Sequence, residues 1–163
     1  MSIQAGDKAP DFTLVTLAED GPQIVKLSEE IAKSNVVLVF FPAAFTSVCT
    51  TEMCGVSSGI STYEDLDAKV FGISGDSPFA QGEWAKKEGI TIPLLSDYEH
   101  DVAKAYGIAY TQFLPEKNLI FGGVAKRSVF VIDKSGIVRH SEVQEHPKDI
   151  PDFGKVKEAL KSL

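Results

Sequence analysis

The chain has 163 residues, 44% of them hydrophobic and 24% charged, with a net charge of −7. That balance fits one soluble globular domain over residues 1–163, too short for two ordinary ones, and it argues against a nucleic-acid surface, which needs clustered Lys and Arg. No apolar run is long enough to span a bilayer. The only cysteines are Cys49 and Cys54, so the chain is not a disulfide scaffold. Their close spacing, behind a Met1–Asp7 start that lacks the basic and apolar regions of a secretory signal, points to metal or redox chemistry in a reducing compartment. The expected setting is the cytoplasm.

Residues 11–16 and 23–26 read as two short strands around the turn signals of Glu19-Asp20-Gly21-Pro22. Ser28 is placed to cap a short helix reaching Lys33. Val36 to Phe41 is a continuous apolar run, rich in β-branched and aromatic residues, as expected of a central strand covered on both faces. After Pro42, a loop leads into a helix beginning near Cys49, whose Met53, Val56, Ile60, Tyr63 and Leu66 form one apolar stripe. Residues 70–74 form the next predicted strand. Ser77-Pro78 is an N-cap and first-turn pair for a helix to Glu88, closed by Gly89. A strand over 90–95 and a short helix over 101–106, stopped by Gly107, follow. Strands over 128–133 and 137–142 flank Asp133-Lys134-Ser135-Gly136, a hairpin signal, and a last helix is predicted over 152–161. Strands alternating with helices imply an α/β protein, with a mixed central β-sheet flanked by helices and an N-terminal β-hairpin.

The stretch from Phe40 to Cys54 carries the chemistry. It puts Cys49 where a buried strand hands over to a helix, the edge at which open α/β sheets bind ligands. Unpaired N–H groups and positive partial charge at a helix start favour thiolate, the reactive form of cysteine. Position alone leaves an inert, packed cysteine equally open.

The residues around Cys49 resemble the signature of the peroxiredoxin family, Pro, three residues, Thr or Ser, two residues, Cys, which Pro42, Thr46 and Cys49 match in full. Element order and size are likewise similar to the thioredoxin-like fold of that family over nearly the whole chain. The resemblance implies a thiol peroxidase without a cofactor or a metal, in which Cys49 attacks the hydroperoxide. It implies that Thr46 hydrogen-bonds thiolate and peroxide, and that Pro42 shields the sulfur from water. Arg127, opening Arg127-Ser128-Val129-Phe130-Val131-Ile132-Asp133, matches the arginine before the family's late strand. These types suit the reaction, since charge moves along the S–O–O line and fixed donors aimed at it lower the barrier. Glu52, three residues after Cys49, is a candidate for holding the arginine; an acidic residue in a first turn is also favoured without any function.

The Cys-x4-Cys spacing resembles the bacterioferritin comigratory protein group, which implies that Cys54 resolves oxidised Cys49 as an intramolecular disulfide. The related alkyl hydroperoxide reductase E-like group has no cysteine there. At about 100° per residue, Cys54 points away from the apolar stripe, toward Ser58, Ser61, Thr62 and Asp65, and is expected to be accessible. In an intact helix, Cα atoms five apart are about 8–9 Å from each other, beyond the roughly 7 Å limit for a disulfide, so the helix must unwind. The expected partners are a hydroperoxide and a thioredoxin- or glutaredoxin-type reductant, with the protein a monomer or a homodimer. Three alternatives are a one-cysteine peroxidase resolved by an external thiol, a thioredoxin-type disulfide reductase and a redox-sensing binding module. The reductase would want Cys-x-x-Cys, which this chain lacks; the sensor would react once without turnover. The apolar stretch from Tyr110 to Val124 either covers the core or forms a subunit contact.

Overall fold

The computed structural model describes residues 1–163. Its elements are β1 (Thr13–Ala18), β2 (Gly21–Lys26), α1 (Leu27–Ile31), β3 (Asn35–Phe40), α2 (Ser47–Ser58), α3 (Ile60–Asp65), β4 (Ala68–Ser74), α4 (Pro78–Glu88), β5 (Leu94–Ser96), α5 (Asp101–Ala105), β6 (Ser128–Ile132), β7 (Val138–Val143) and α6 (Phe153–Lys161). The seven strands form one mixed sheet in the order β2-β1-β5-β4-β3-β6-β7, with β3, β4 and β5 parallel. β1 and β2 make the N-terminal hairpin, extended into the expected turn so that Ala18 faces Gly21. Pro22 sits on the edge strand, where a missing N–H costs no ladder bond.

β3 explains why its sequence has no polar alternation. Val37, Val39 and Phe41 join a core with Met53, Val56, Tyr63, Trp84, Val156 and Leu160 on one face of the sheet. Val36, Leu38 and Phe40 join Leu27, Val102, Ala103 and Tyr106 on the other. Both faces of the strand are therefore dry. Gly72 of β4 lets α2 lie close, because a Cβ there would come 2.7 Å from Leu94 and 3.3 Å from the Met53 sulfur.

Several boundaries differ from the sequence expectation for local reasons. α1 starts at Leu27 without a side-chain cap, because the Ser28 N–H donates to the Asp11 carboxylate instead (2.9 Å). The stripe from Met53 to Leu66 belongs to two helices, broken at Gly59, whose backbone (φ −99°, ψ 13°) leaves the helical range. The expected strand over 90–95 shrinks to β5. Ile90 N–H is used to close α4 on Ala85 O, and Thr91 N–H bonds the Ser57 hydroxyl. The cap of α4 forms as read, with Ser77 accepting from Ala80 N–H, while α6 begins at Phe153 because Asp152 caps it, accepting from Gly154 and Lys155 N–H. The 110–124 segment folds back on itself through Tyr110–Val124 and Phe113–Phe121 backbone bonds, which bring the Phe113 ring edge-on to Tyr110 and tilted against Phe121.

Candidate active site

β3 ends at Phe40 and the chain turns through Phe41 and Pro42, both buried, into the first turn of α2. The first i→i−4 bond of α2 is Thr50 N–H to Thr46 C=O (3.0 Å), so the N–H groups of Ser47, Val48 and Cys49 precede it and face outward from the helix start. Cys49, 1% exposed, is a free thiol in this turn.

Sheet register brings the distant arginine there. β6 runs antiparallel to β3 with Ser128 opposite Phe40, so Arg127 lies just beyond the end of β3. Its guanidinium, buried to 1%, meets three partners: Nη2 donates to the Cys49 sulfur (3.1 Å), Nη1 to Glu52 Oε1 (3.1 Å) and Nε to the Pro147 carbonyl (3.0 Å). Glu52 lies on the same flank of α2 as Cys49, three residues on, as a helical turn requires. Burial pushes its carboxyl up to about 7, against the charge and hydrogen bond of Arg127. Its second oxygen, Oε2, is buried without a hydrogen-bond partner. Burial acts to lower the pKa of Arg127, but Cys49 and Glu52 outweigh it and hold the guanidinium above its ordinary value.

Thr46 occupies the N-cap of α2 and is exposed. Its hydroxyl donates to Ala43 O (2.7 Å) rather than to the Cys49 sulfur, because the turn folds that carbonyl back over it. The hydroxyl hydrogen is thus committed, and what Thr46 offers a substrate is an acceptor lone pair. Trp84 packs on Phe41 (ring centroids 5.2 Å apart) and also donates from Nε1 to the Thr50 hydroxyl (3.0 Å) in the first turn of α2.

Cys54 corrects the sequence reading. It is not on an open polar face: it is half-buried against the core, and its thiol donates to the Glu88 carbonyl (3.4 Å). Ser58, Ser61, Thr62 and Asp65 are exposed as expected, but the end of α4 and the 89–91 connection cover the flank that carries Cys54 and Ser57. With α2 continuous from Ser47 to Ser58, the two cysteines are separate thiols on one intact helix. The Pro147 carbonyl was missed altogether, and no sequence signal marks a backbone acceptor. Asp76, which follows β4 at the same sheet edge, accepts from Ala44 N–H (2.8 Å) in the turn before α2.

Such a thiol, held by a guanidinium at the C-terminal edge of a parallel strand, marks the class: a thiol-dependent oxidoreductase on a thioredoxin-like sheet. Known proteins narrow it. The AhpC/TSA family model matches residues 5–141. Alkyl hydroperoxide reductase E of Mycobacterium tuberculosis is 35% identical over 163 residues, covering 99% of this chain and 98% of that protein. The chloroplastic 2-cysteine peroxiredoxin of Chattonella marina var. antiqua is 36% identical over 171 residues, covering 100% of this chain and 80% of its own. Among solved structures, peroxidoxin BcpB from Mycobacterium tuberculosis aligns with a TM-score of 0.84 at 29% identity, covering 99% of this chain and 98% of that one. The chain belongs to the AhpC/TSA family of peroxiredoxins, and it is a thiol peroxidase.

Proposed function

We propose that Cys49 is the sulfur that reduces the hydroperoxide, with Arg127, Thr46, Pro42 and Glu52 as its supporting groups. The observation that carries this reading is the Arg127 Nη2 to Cys49 Sγ hydrogen bond in a buried site. The Cys49 thiolate attacks the terminal peroxide oxygen. An S–O bond forms, the O–O bond breaks, and the departing oxygen takes the electron pair and a proton from solvent to leave as alcohol or water. Sulfur loses two electrons, the peroxide gains them, and Cys49 becomes a sulfenic acid. Arg127 stabilises the negative charge as it moves from sulfur to oxygen. Glu52 and the Pro147 carbonyl fix the guanidinium, Thr46 accepts a hydrogen bond from the incoming hydroperoxide, and the buried Pro42 ring closes the sulfur off from water.

Resolution belongs to the same proposal. Cys54, as thiolate, attacks the Cys49 sulfenic sulfur, forming S–S while S–O breaks and the oxygen leaves as hydroxide, which takes a proton from solvent to become water. A thioredoxin- or glutaredoxin-type dithiol then reduces the disulfide. Free thiols suit a reducing compartment, and the cytoplasm is our reading. A second reading is favoured by the Cys54–Glu88 contact: Cys54 stays tucked on α4 and an external thiol resolves Cys49 directly. Mass spectrometry of wild type and Cys54→Ser after one equivalent of peroxide separates them. An intramolecular disulfide in wild type and a sulfenic acid in the variant support Cys54 as resolver; sulfenic acid in both overturns it. A Cys49→Ser variant that still turns over peroxide would overturn the whole assignment.

A further inference from the structure

The turn between β3 and α2 holds one residue in a costly conformation. Phe45 is 55% exposed and has φ +65°, a left-handed backbone that bulky side chains rarely adopt. It sits between Ala44 and Thr46, directly before the helix that carries Cys49. Such strain persists only where the surroundings fix the chain on both sides. On the downstream side the ties are local: Thr46 Oγ1 to Ala43 O (2.7 Å) and Thr50 N–H to Thr46 O (3.0 Å). Upstream, the Ala44 N–H donates to Asp76 Oδ2 (2.8 Å), a bond that spans 32 residues and reaches another strand's end.

Asp76 is itself fixed by a buried polar network. Its Oδ2 also accepts from the Ser74 hydroxyl (2.7 Å), and its carbonyl accepts from the Ser96 hydroxyl (2.6 Å). Ser74 Oγ in turn accepts from Gln81 Nε2 (2.9 Å), which also donates to the Leu95 carbonyl (2.9 Å). Ser74 and Gln81 are each 1% exposed. β4, β5 and α4 therefore hold one carboxylate oxygen in place, aimed at a backbone N–H of the turn. None of these groups touches Cys49, and the reaction described above does not use them.

We propose that Asp76 is a positioning residue for peroxide reduction: its carboxylate anchors Ala44 N–H and so holds the strained turn that sets Thr46 for the substrate. This rests on the reading of Cys49 and Thr46 given above. Asparagine with its carbonyl oxygen in the place of Oδ2 keeps the acceptor for both Ala44 N–H and the Ser74 hydroxyl, so it should preserve the turn. Alanine leaves the Ala44 N–H without its partner and frees the turn to relax.

The test uses the full chain in a Cys54→Ser background, so that Cys49 alone reports. Second-order rates with hydrogen peroxide are measured by stopped-flow, and alkylation of Cys49 by iodoacetamide serves as a reaction that does not use Thr46. Asp76→Ala should react with peroxide about tenfold or more slowly while its alkylation rate changes less than about twofold, and Asp76→Asn should stay within about threefold of the background on both. A peroxide rate for Asp76→Ala equal to the background overturns the proposal. So does an equal fall in both reactions, which would mean that Asp76 only holds the helix as a whole. So does an Asp76→Asn variant as slow as the alanine. If Asp76→Ala does not fold, amide exchange at Ala44 in the wild type decides: protection supports the anchor, and exchange as fast as in an open loop overturns it. A wild type that leaves peroxide untouched would overturn the peroxidase reading instead, and that result does not involve Asp76.

Discussion

Replacing Gly55 with alanine tests whether the strength of α2 sets the rate at which Cys54 reaches Cys49. Gly55 is exposed within the helix, and a Cβ built there meets nothing within 4 Å. The substitution therefore adds no clash and should stabilise the helix by about 1 kcal/mol, the ordinary difference between Gly and Ala in a helix interior. Disulfide formation needs the helix open between the two cysteines, because their Cα atoms stand about 8–9 Å apart while it is intact. Opening also releases the Cys54 thiol from Glu88 O, the Ser57 hydroxyl from Thr91 N–H and, at the first turn, Thr50 from Trp84. A further 1 kcal/mol makes the open form about fivefold rarer, so disulfide formation should slow by about that factor. The first reaction with peroxide should not change, since the folded site is preserved, and the sulfinic fraction at high peroxide should rise because the sulfenic acid lives longer. Stopped-flow Trp84 fluorescence follows both steps, and mass spectrometry gives the sulfinic fraction. Gly59 lies at the break between α2 and α3, where Ala makes only ordinary contact with Gly55 O (3.6 Å) and should matter less. A Gly55→Ala protein that is measurably more stable yet forms its disulfide at the wild-type rate would refute the idea that helix opening gates resolution.

Thr50→Val should act in the opposite direction: the buried Trp84 Nε1–H loses its acceptor, the folded helix loses about 1–3 kcal/mol, and disulfide formation should quicken in the same assay. Arg127→Lys keeps a charge but not the fork that meets Cys49, Glu52 and Pro147 together, so the peroxide rate should fall by about a hundredfold in a second-order rate measurement. Glu52→Gln tests the buried carboxyl. Folding raises its pKa from 4.5 to about 7, so its stabilising contribution is complete below about pH 4.5 and is lost as pH rises through about 7. Between about pH 5.5 and pH 8.5, wild type should lose about 2 kcal/mol that the glutamine variant does not, read as the difference between their denaturant unfolding curves at the two pH values.

The core of the site was legible because it depends on local pattern. An unbroken apolar run must be a doubly covered strand, and a cysteine following it at a helix start must lie at the sheet edge. Glu52 entered through the family resemblance, and helical spacing explains why it shares the flank of Cys49. Arg127 was reachable through the family resemblance, whereas the physical reason for its place, Ser128 opposite Phe40, is a strand pairing that no periodicity reveals. Cys54 shows the limit of such reasoning most clearly. Periodicity identified the apolar stripe of α2, but it could not show that the last turn of α4 covers the polar-looking flank. Thr91 N–H and the Glu88 carbonyl are backbone groups, so the cover they provide leaves no trace in side-chain chemistry. Asp76 escaped for a related reason, since its partner in the turn is a main-chain amide.

The Pro147 carbonyl that receives Arg127 Nε has a consequence for how this chain can change over generations. A fully enclosed guanidinium takes part of its aim from a stretch whose residues Glu145, His146, Lys148, Asp149 and Ile150 are exposed. A main-chain oxygen asks little of the side chains beside it. Those positions are free to drift toward other charges or sizes, as exposed loops do, without disturbing the arginine. Their number is not free. One residue inserted or removed between the end of β7 at Val143 and the Asp152 cap of α6 would move the carbonyl away from Nε, so this stretch should vary widely in composition and hardly at all in length.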